Sequence, residues 1–183
     1  MFTLILLMAV LIAADQLTKW IAVVSLRGQD GVAILGHFLG FTYHENKGAA
    51  WGILSNHRWV FMVISAVAIV VLFIYLCRTH ARLHPLFRIA LAMIVAGGIG
   101  NMIDRTLLGY VVDFIAIDLP YYSFSAGAWK FYNFPVFNFA DMCITVAAVL
   151  MLIWAIFIDF PASFRAEKAA KAKLNASDSE DKE

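Results

Sequence analysis

Gly97-Gly98-Ile99-Gly100-Asn101-Met102-Ile103-Asp104-Arg105 closes an apolar run that begins near Leu86, and its reading decides the fold. The small residues let another helix come close. An amide and two charges then follow at the point where the run reaches membrane length. The stretch continues through Gly109-Tyr110-Val111-Val112-Asp113-Phe114, so a further carboxylate arrives just past the helix. A lipid-facing helix does not tolerate this set, because ionisable side chains inside a span cost about 2.5–3.5 kcal/mol each on insertion scales. The stretch therefore reads as half of a site at a membrane boundary, with Asp141 further along as its counterpart.

The composition agrees with a membrane setting. Of 183 residues, 62% are hydrophobic and 15% charged, with a mean hydropathy of +0.79. A soluble domain is nearer about half apolar and a quarter charged. A net charge of +1 gives no reason to expect a nucleic-acid partner. Cys77 and Cys143 both lie in apolar runs, so they read as small buried apolar residues and not as a disulfide framework.

A spanning helix needs about 20 apolar residues. Four stretches qualify, at about 2–26, 59–77, 86–103 and 137–160. The expected fold class is an all-α membrane protein of four transmembrane helices, with a small β-rich element on the outer side. Residues 1–164 form one membrane domain in this reading, and 165–183 a charged cytoplasmic tail. The first stretch has no Lys or Arg ahead of its apolar run and is long enough to span, so it is expected to remain as a helix and not to be a cleaved signal peptide. Basic residues set the orientation. Arg78, Arg82 and Arg88 crowd the short connection between the second and third spans, and Arg165, Lys168, Lys171, Lys173 and Lys182 follow the fourth span. Both termini are thus expected in the cytoplasm and the two long loops outside. In those loops Val32–Leu35, His37–Tyr43 and Tyr110–Ile117 read as strands, and Asn46–Gly52 as a turn leading into small residues. The aromatic run from Tyr121 to Phe134 suits the headgroup level.

Following each helix's direction brings the polar residues together. Asp15 and Lys19 lie in the second half of an outward helix, Asn101 and Arg105 at the end of another, and Asn138 and Asp141 at the start of an inward one. Inverting the protein moves them all alike, so they converge at one depth either way. Asp15 and Lys19 share a face at i,i+4, as do Asn101 and Arg105. Asn138, Asp141 and Thr145 form a stripe, and Asp113 points to the strand face opposite Val112 and Phe114.

A structural reading stands beside each functional one. Asp15 and Lys19 are also what a buried ion pair looks like, Asn138 suits a helix N-cap, and the glycines suit helix packing. Asp104 reads best as an ordinary charged helix terminus, with Arg105 open to either reading. Asp141 and Asp113 are hardest to dismiss, because a lone carboxylate at a span needs a reason.

The ordered set of motifs resembles the lipoprotein signal peptidases, also called signal peptidase II, of the bacterial inner membrane. The pieces are Asp15-Gln16-Leu17-Thr18-Lys19, Asn46-Lys47-Gly48-Ala49-Ala50-Trp51-Gly52, the Gly97–Arg105 and Gly109–Phe114 stretches, and Phe137-Asn138-Phe139-Ala140-Asp141. The resemblance covers about residues 1–160. It implies an aspartic endopeptidase that needs no metal or other cofactor; a single four-span chain is expected to suffice, so a monomer is the expected state. The substrates would be prolipoproteins carrying a diacylglyceryl-modified cysteine, cut on its N-terminal side. The implied catalytic pair is Asp113 and Asp141. The implied lining residues are Asp15, Lys19, Asn46, Gly48, Asn101, Arg105, Asn138 and Ala140.

Physical reasoning agrees with such a pair. Two close carboxylates cannot both ionise cheaply, so one keeps a proton while the other activates water. A small ion- or proton-coupled transporter is the alternative from another class. It is disfavoured by the lack of polar residues in the inner halves of the second, third and fourth spans. His37 and His44 lack the paired spacing of a zinc site.

Overall fold

Each sequence span folds as a helix in the computed structural model. The helices are α1 Phe2–Leu26, α2 Arg58–Thr79, α3 Pro85–Leu107 and α4 Phe139–Trp154, the last continued by a π-helical turn at Ala155–Asp159. All four are long and apolar enough to cross a membrane. The structure describes residues 1–36, 38–48, 58–117, 124–126, 129–131, 134–161 and 164. His37, Ala49 to Trp51 and Gly52, Tyr121, Tyr122, Tyr132 and the tail from Arg165 fall outside them.

Strands β1 Val32–Leu35, β2 Leu39–Asn46 and β3 Val111–Ile117 form one antiparallel sheet in the order β1-β2-β3. A separate hairpin joins β4 Phe124–Ala126 to β5 Trp129–Phe131. The fold class is therefore the expected one. Several boundaries differ by a few residues, and three of the differences have a clear physical reason. β2 runs on to Asn46, because His44, Glu45 and Asn46 continue the ladder opposite Asp113, Val112 and Val111. α4 begins at Phe139 because Phe137 is taken up by β3: its N–H donates to the Ile115 carbonyl at 3.1 Å, and the Ile115 N–H returns a bond at 2.8 Å. α3 continues one turn past Ile103, because Asp104 faces the bundle and is 3% exposed. The helix ends where Gly109, at φ 91°, turns the chain; the Leu108 and Gly109 N–H groups both donate to the Asp104 carbonyl, at 2.7 and 3.2 Å.

Lipid tails are as apolar as leucine, so membrane helices are held by close packing and polar contacts and not by hydrophobic expulsion. α3 is built for this and packs against each of the other three helices. Three of its glycines serve one neighbour each. A Cβ on Gly97 would meet the Ala140 carbonyl of α4 at 2.6 Å, and one on Gly98 would meet Ile69 of α2 at 2.9 Å. A Cβ on Gly100 would run into the Asp15 carboxylate of α1. Ala90, Ala92, Ala96, Ala140 and Ala147 complete the buried small-residue surface. α2 holds the edge, with Trp59, Val63, Ile64, Val67, Val70 and Val71 exposed, as suits a lipid-covered face.

The half of the bundle toward the N-terminal end of α1 is apolar, built on Leu4, Met8, Leu76, Leu91, Ala92 and Val95. At the opposite end the sheet docks on α1 through Ala22, Val112 and Phe114. The cluster of polar residues lies between these two apolar layers. On α4 the buried stripe is Ala140, Cys143 and Ala147, so Thr145, grouped with Asn138 and Asp141 by spacing, is exposed and takes no part. The reason is rotational: Asp141 and Thr145 share a helix face beside the buried stripe, where Asp141 in the first turn is half-buried and Thr145 one turn on is exposed.

Candidate active site

Two segments of the chain meet at the site. β3 carries Asp113, and the segment leading into α4 is bonded to β3 directly afterwards, with the Phe114 and Ile115 N–H groups on the Phe137 carbonyl at 3.1 and 2.8 Å. That bridge brings the first turn of α4, and with it Asp141, beside Asp113. Asn138 caps the helix, and Asp141 closes a capping box with it: the Asp141 N–H donates to Asn138 Oδ1 at 3.0 Å and the Asn138 N–H to Asp141 Oδ2 at 3.2 Å. A capping box satisfies two otherwise orphaned helix donors. The same residues thus both start the helix and line the site.

Three asparagine amides join the carboxylates, and the orientation of each is fixed by a group that can only donate. Lys19 donates to Asn101 Oδ1 at 2.9 Å, so the Asn101 amide nitrogen must face the other way, onto Asp141 Oδ1 at 2.8 Å. The Gly48 N–H donates to Asn46 Oδ1 at 2.9 Å, which turns the Asn46 nitrogen onto Asp113 Oδ2 at 2.9 Å. Gly48 holds this turn at φ 74°, where a side chain would be strained. The Asp141 N–H occupies Asn138 Oδ1, leaving its nitrogen to donate to Asp113 Oδ1 at 2.7 Å and to Asn101 Oδ1 at 3.0 Å. Every amide nitrogen of the three therefore presents hydrogens to a carboxylate.

Beneath this layer sits a buried charge cluster. Lys19, 3% exposed, reaches Asp15 at 2.9 Å and Asp104 at 3.0 Å as well as Asn101. Its three N–H donors thus have three acceptors. The other oxygen of Asp15 accepts the Ala140 N–H at 3.0 Å, placing a carboxylate at the positive end of α4. Arg105 is half-buried and turns its guanidinium toward the Asn101 carbonyl at 3.5 Å. All ten residues singled out from the sequence lie in this one connected region. Among the described residues no group of three His, Cys, Asp or Glu side chains is gathered as a metal ion needs. His44 is exposed, opposite Asp113 in the ladder.

Burial pushes the Asp113 carboxyl up from its ordinary 3.8 to about 6. The Asn46 and Asn138 hydrogen bonds oppose this, the Asp141 charge adds to it, and Lys19 draws it back down.

The reading of Asp104 as a plain helix terminus does not hold. Its carboxylate is buried, paired with Lys19, and accepts the Val112 N–H at 3.0 Å. Gln16, quoted in the first motif but given no place in the site, donates to Asp15, to the Gly100 carbonyl and to Asp104 at 3.1, 3.2 and 3.1 Å. Helical spacing carried the signal for Asp104, which follows Gly97, Gly100 and Asn101 by seven, four and three positions on one face.

The fold and this region define an integral membrane protein whose helices close at one end around a largely buried, hydrogen-bonded carboxylate–amide cluster. Its relatives are consistent. The signal peptidase (SPase) II family model matches residues 7–157. The chain is 42% identical over 148 residues to a lipoprotein signal peptidase of Listeria monocytogenes serotype 4b, covering 81% of this chain and 88% of that protein. It is 37% identical over 155 residues to one of Symbiobacterium thermophilum, covering 85% and 95%. It also resembles a solved bacterial membrane enzyme, determined by the in meso method at 1.9 Å resolution, with a TM-score of 0.68 and 32% identity over 86% of this chain and 95% of that one. The chain belongs to the signal peptidase II family and is a membrane peptidase.

Proposed function

We propose that the protein is an aspartic endopeptidase that removes signal peptides from diacylglyceryl-modified prolipoproteins, cutting N-terminal to the lipidated cysteine. Asp113 and Asp141 are its catalytic pair. The observation that carries this is the convergence of these two carboxylates, one from a strand and one from a helix N-terminus, within a single amide network. The ionised partner takes a proton from a bound water. The protonated one donates to the scissile carbonyl oxygen, and a proton later goes to the leaving amine. The pair titrates as a unit, so acid and base belong to the dyad and not to either residue.

The asparagine amides hold both carboxylates in place at no cost in charge. Asp15, Lys19, Arg105 and the Ala140 N–H stabilise the layer beneath, and Asn46 and Gly48 form the rim where an extended peptide enters. The protein acts as a monomer in the bacterial inner membrane, with both termini in the cytoplasm and the site near the periplasmic face. The membrane domain ends near residue 164 and a charged tail follows. A transporter fits less well, because the apolar layer of Leu4, Met8, Leu76 and Val95 interrupts any polar path.

The experiment is incubation of the reconstituted protein with a diacylglyceryl-modified prolipoprotein in excess chelator. The expected product begins at the lipidated cysteine. A product cut elsewhere, or loss of cleavage on chelation, contradicts the assignment.

The pH dependence follows from Asp113. Its folded value of about 6 lies above the ordinary 3.8, so the fold favours its protonated form, and that stability is lost as pH rises through about 6. The one-proton dyad is lost in the same direction, giving an alkaline limb in kcat/KM at or above about pH 6. The Asn46 hydrogen bond favours the ionised form. Asn46→Leu is therefore expected to move this limb to higher pH in a pH–rate profile. A shift to lower pH contradicts the account.

A further inference from the structure

We propose that Asp104 is a positioning residue for the Asp113–Asp141 pair, acting through the β3 backbone that it holds and the Lys19 charge that it shares. The inference rests on the dyad reading above and adds to it a residue outside the dyad.

The geometry has two parts. Asp113 stands between two backbone anchors. On its C-terminal side the Phe114 and Ile115 N–H groups are held by the Phe137 carbonyl at 3.1 and 2.8 Å, from the α4 side. On its N-terminal side the Val112 N–H is held by Asp104 Oδ2 at 3.0 Å, from α3. A side chain makes this second anchor, and it is 3% exposed, locked by Lys19 at 3.0 Å and Gln16 at 3.1 Å. Asp104 thus ties the strand that carries one carboxylate to the helix that carries Asn101, the amide holding the other. A small displacement of reacting groups is costly: about 1 Å can cost about 10²-fold in rate.

The second part is electrostatic. Lys19 is shared by Asp15, Asp104 and Asn101 Oδ1, and its charge lowers the affinity of Asp113 for a proton. Among the described residues, the charged or titratable groups around the pair are Asp15 and Lys19 from α1, Asp104 and Arg105 from α3 and the exposed His44 from β2. Removing the Asp104 charge leaves Lys19 less neutralised, so Asp113 releases its proton more readily.

The test uses the full chain in reconstituted form with a diacylglyceryl-modified prolipoprotein, with kcat and KM measured across pH and normalised to folded protein. Asp104→Asn, Asp104→Glu and Asp113→Asn are compared. Asp104→Asn is expected to lower kcat by about 10- to 100-fold, to leave KM unchanged, and to move the alkaline limb to lower pH. Asp104→Glu, which keeps the charge but lengthens the arm, is expected to keep the limb in place while kcat stays low. A residue serving only the fold would change the folded fraction and neither of these quantities. Wild-type kcat per folded molecule, a loss confined to KM, or an unmoved limb in Asp104→Asn overturns the proposal. Should Asp104→Asn not fold, wild-type kcat in Asp104→Glu overturns it instead. If Asp113→Asn keeps its rate, the dyad reading fails, whatever Asp104 does.

Discussion

Asp113→Asn and Asp141→Asn are each expected to slow prolipoprotein processing by about 10²- to 10⁴-fold, the usual loss when general acid–base catalysis is removed. The double variant is expected to be little worse than either single one, because residues that act as a unit are not additive. The substitution is nearly isosteric but not neutral. Both oxygens of Asp113 accept amide hydrogens, from Asn46 at 2.9 Å and Asn138 at 2.7 Å, and both donors are locked in place by other bonds. An amide at position 113 must therefore turn a donor toward a donor. The rates are for that reason compared with unfolding midpoints of the same preparations. Additive losses in the double variant would mean that the two carboxylates do separate jobs.

The second large effect is on stability. Lys19→Met is expected to destabilise the protein by about 3–5 kcal/mol, the range found when one partner of a buried charge pair is removed. The ammonium is 3% exposed and serves two carboxylates, Asp15 at 2.9 Å and Asp104 at 3.0 Å, so its loss strands both. It also frees Asn101, whose amide Lys19 orients. Denaturant titration in micelles measures this. The triple variant Asp15→Asn, Lys19→Met, Asp104→Asn is expected to recover most of the loss, because a neutral buried set replaces stranded charges. Lys19→Met at wild-type stability would contradict the buried charge cluster.

Much of this was legible from residues alone, and for identifiable reasons. Hydropathy delimits spans because lipid demands about 20 apolar residues, and α1 matches its expected bounds of Phe2–Leu26. Helix direction places Asp15, Lys19, Asn101, Asn138 and Asp141 at one depth whichever way the chain inserts. Two of the failures concern contacts between segments distant in sequence, and one is local. Asp104 looks like a helix end until α1 is known to bring Lys19 to it. Phe137 looks like the first turn of a helix until Ile115 is found bonded to its backbone. Thr145 shares a face with Asp141, yet that face lies beside the stripe of Ala140, Cys143 and Ala147 that packs into the bundle. The N-cap reading already implies the orientation of Asn138, whereas those of Asn101 and Asn46 were out of reach, because they depend on Lys19 and the Gly48 N–H.

The most direct measurement is a gel-shift assay on a diacylglyceryl-modified prolipoprotein, with wild-type, Asp113→Asn and Asp141→Asn proteins reconstituted side by side. The account predicts that the wild type converts the precursor to the faster-migrating form while both variants leave it unprocessed. Conversion by both variants at the wild-type rate would contradict the assignment of the dyad.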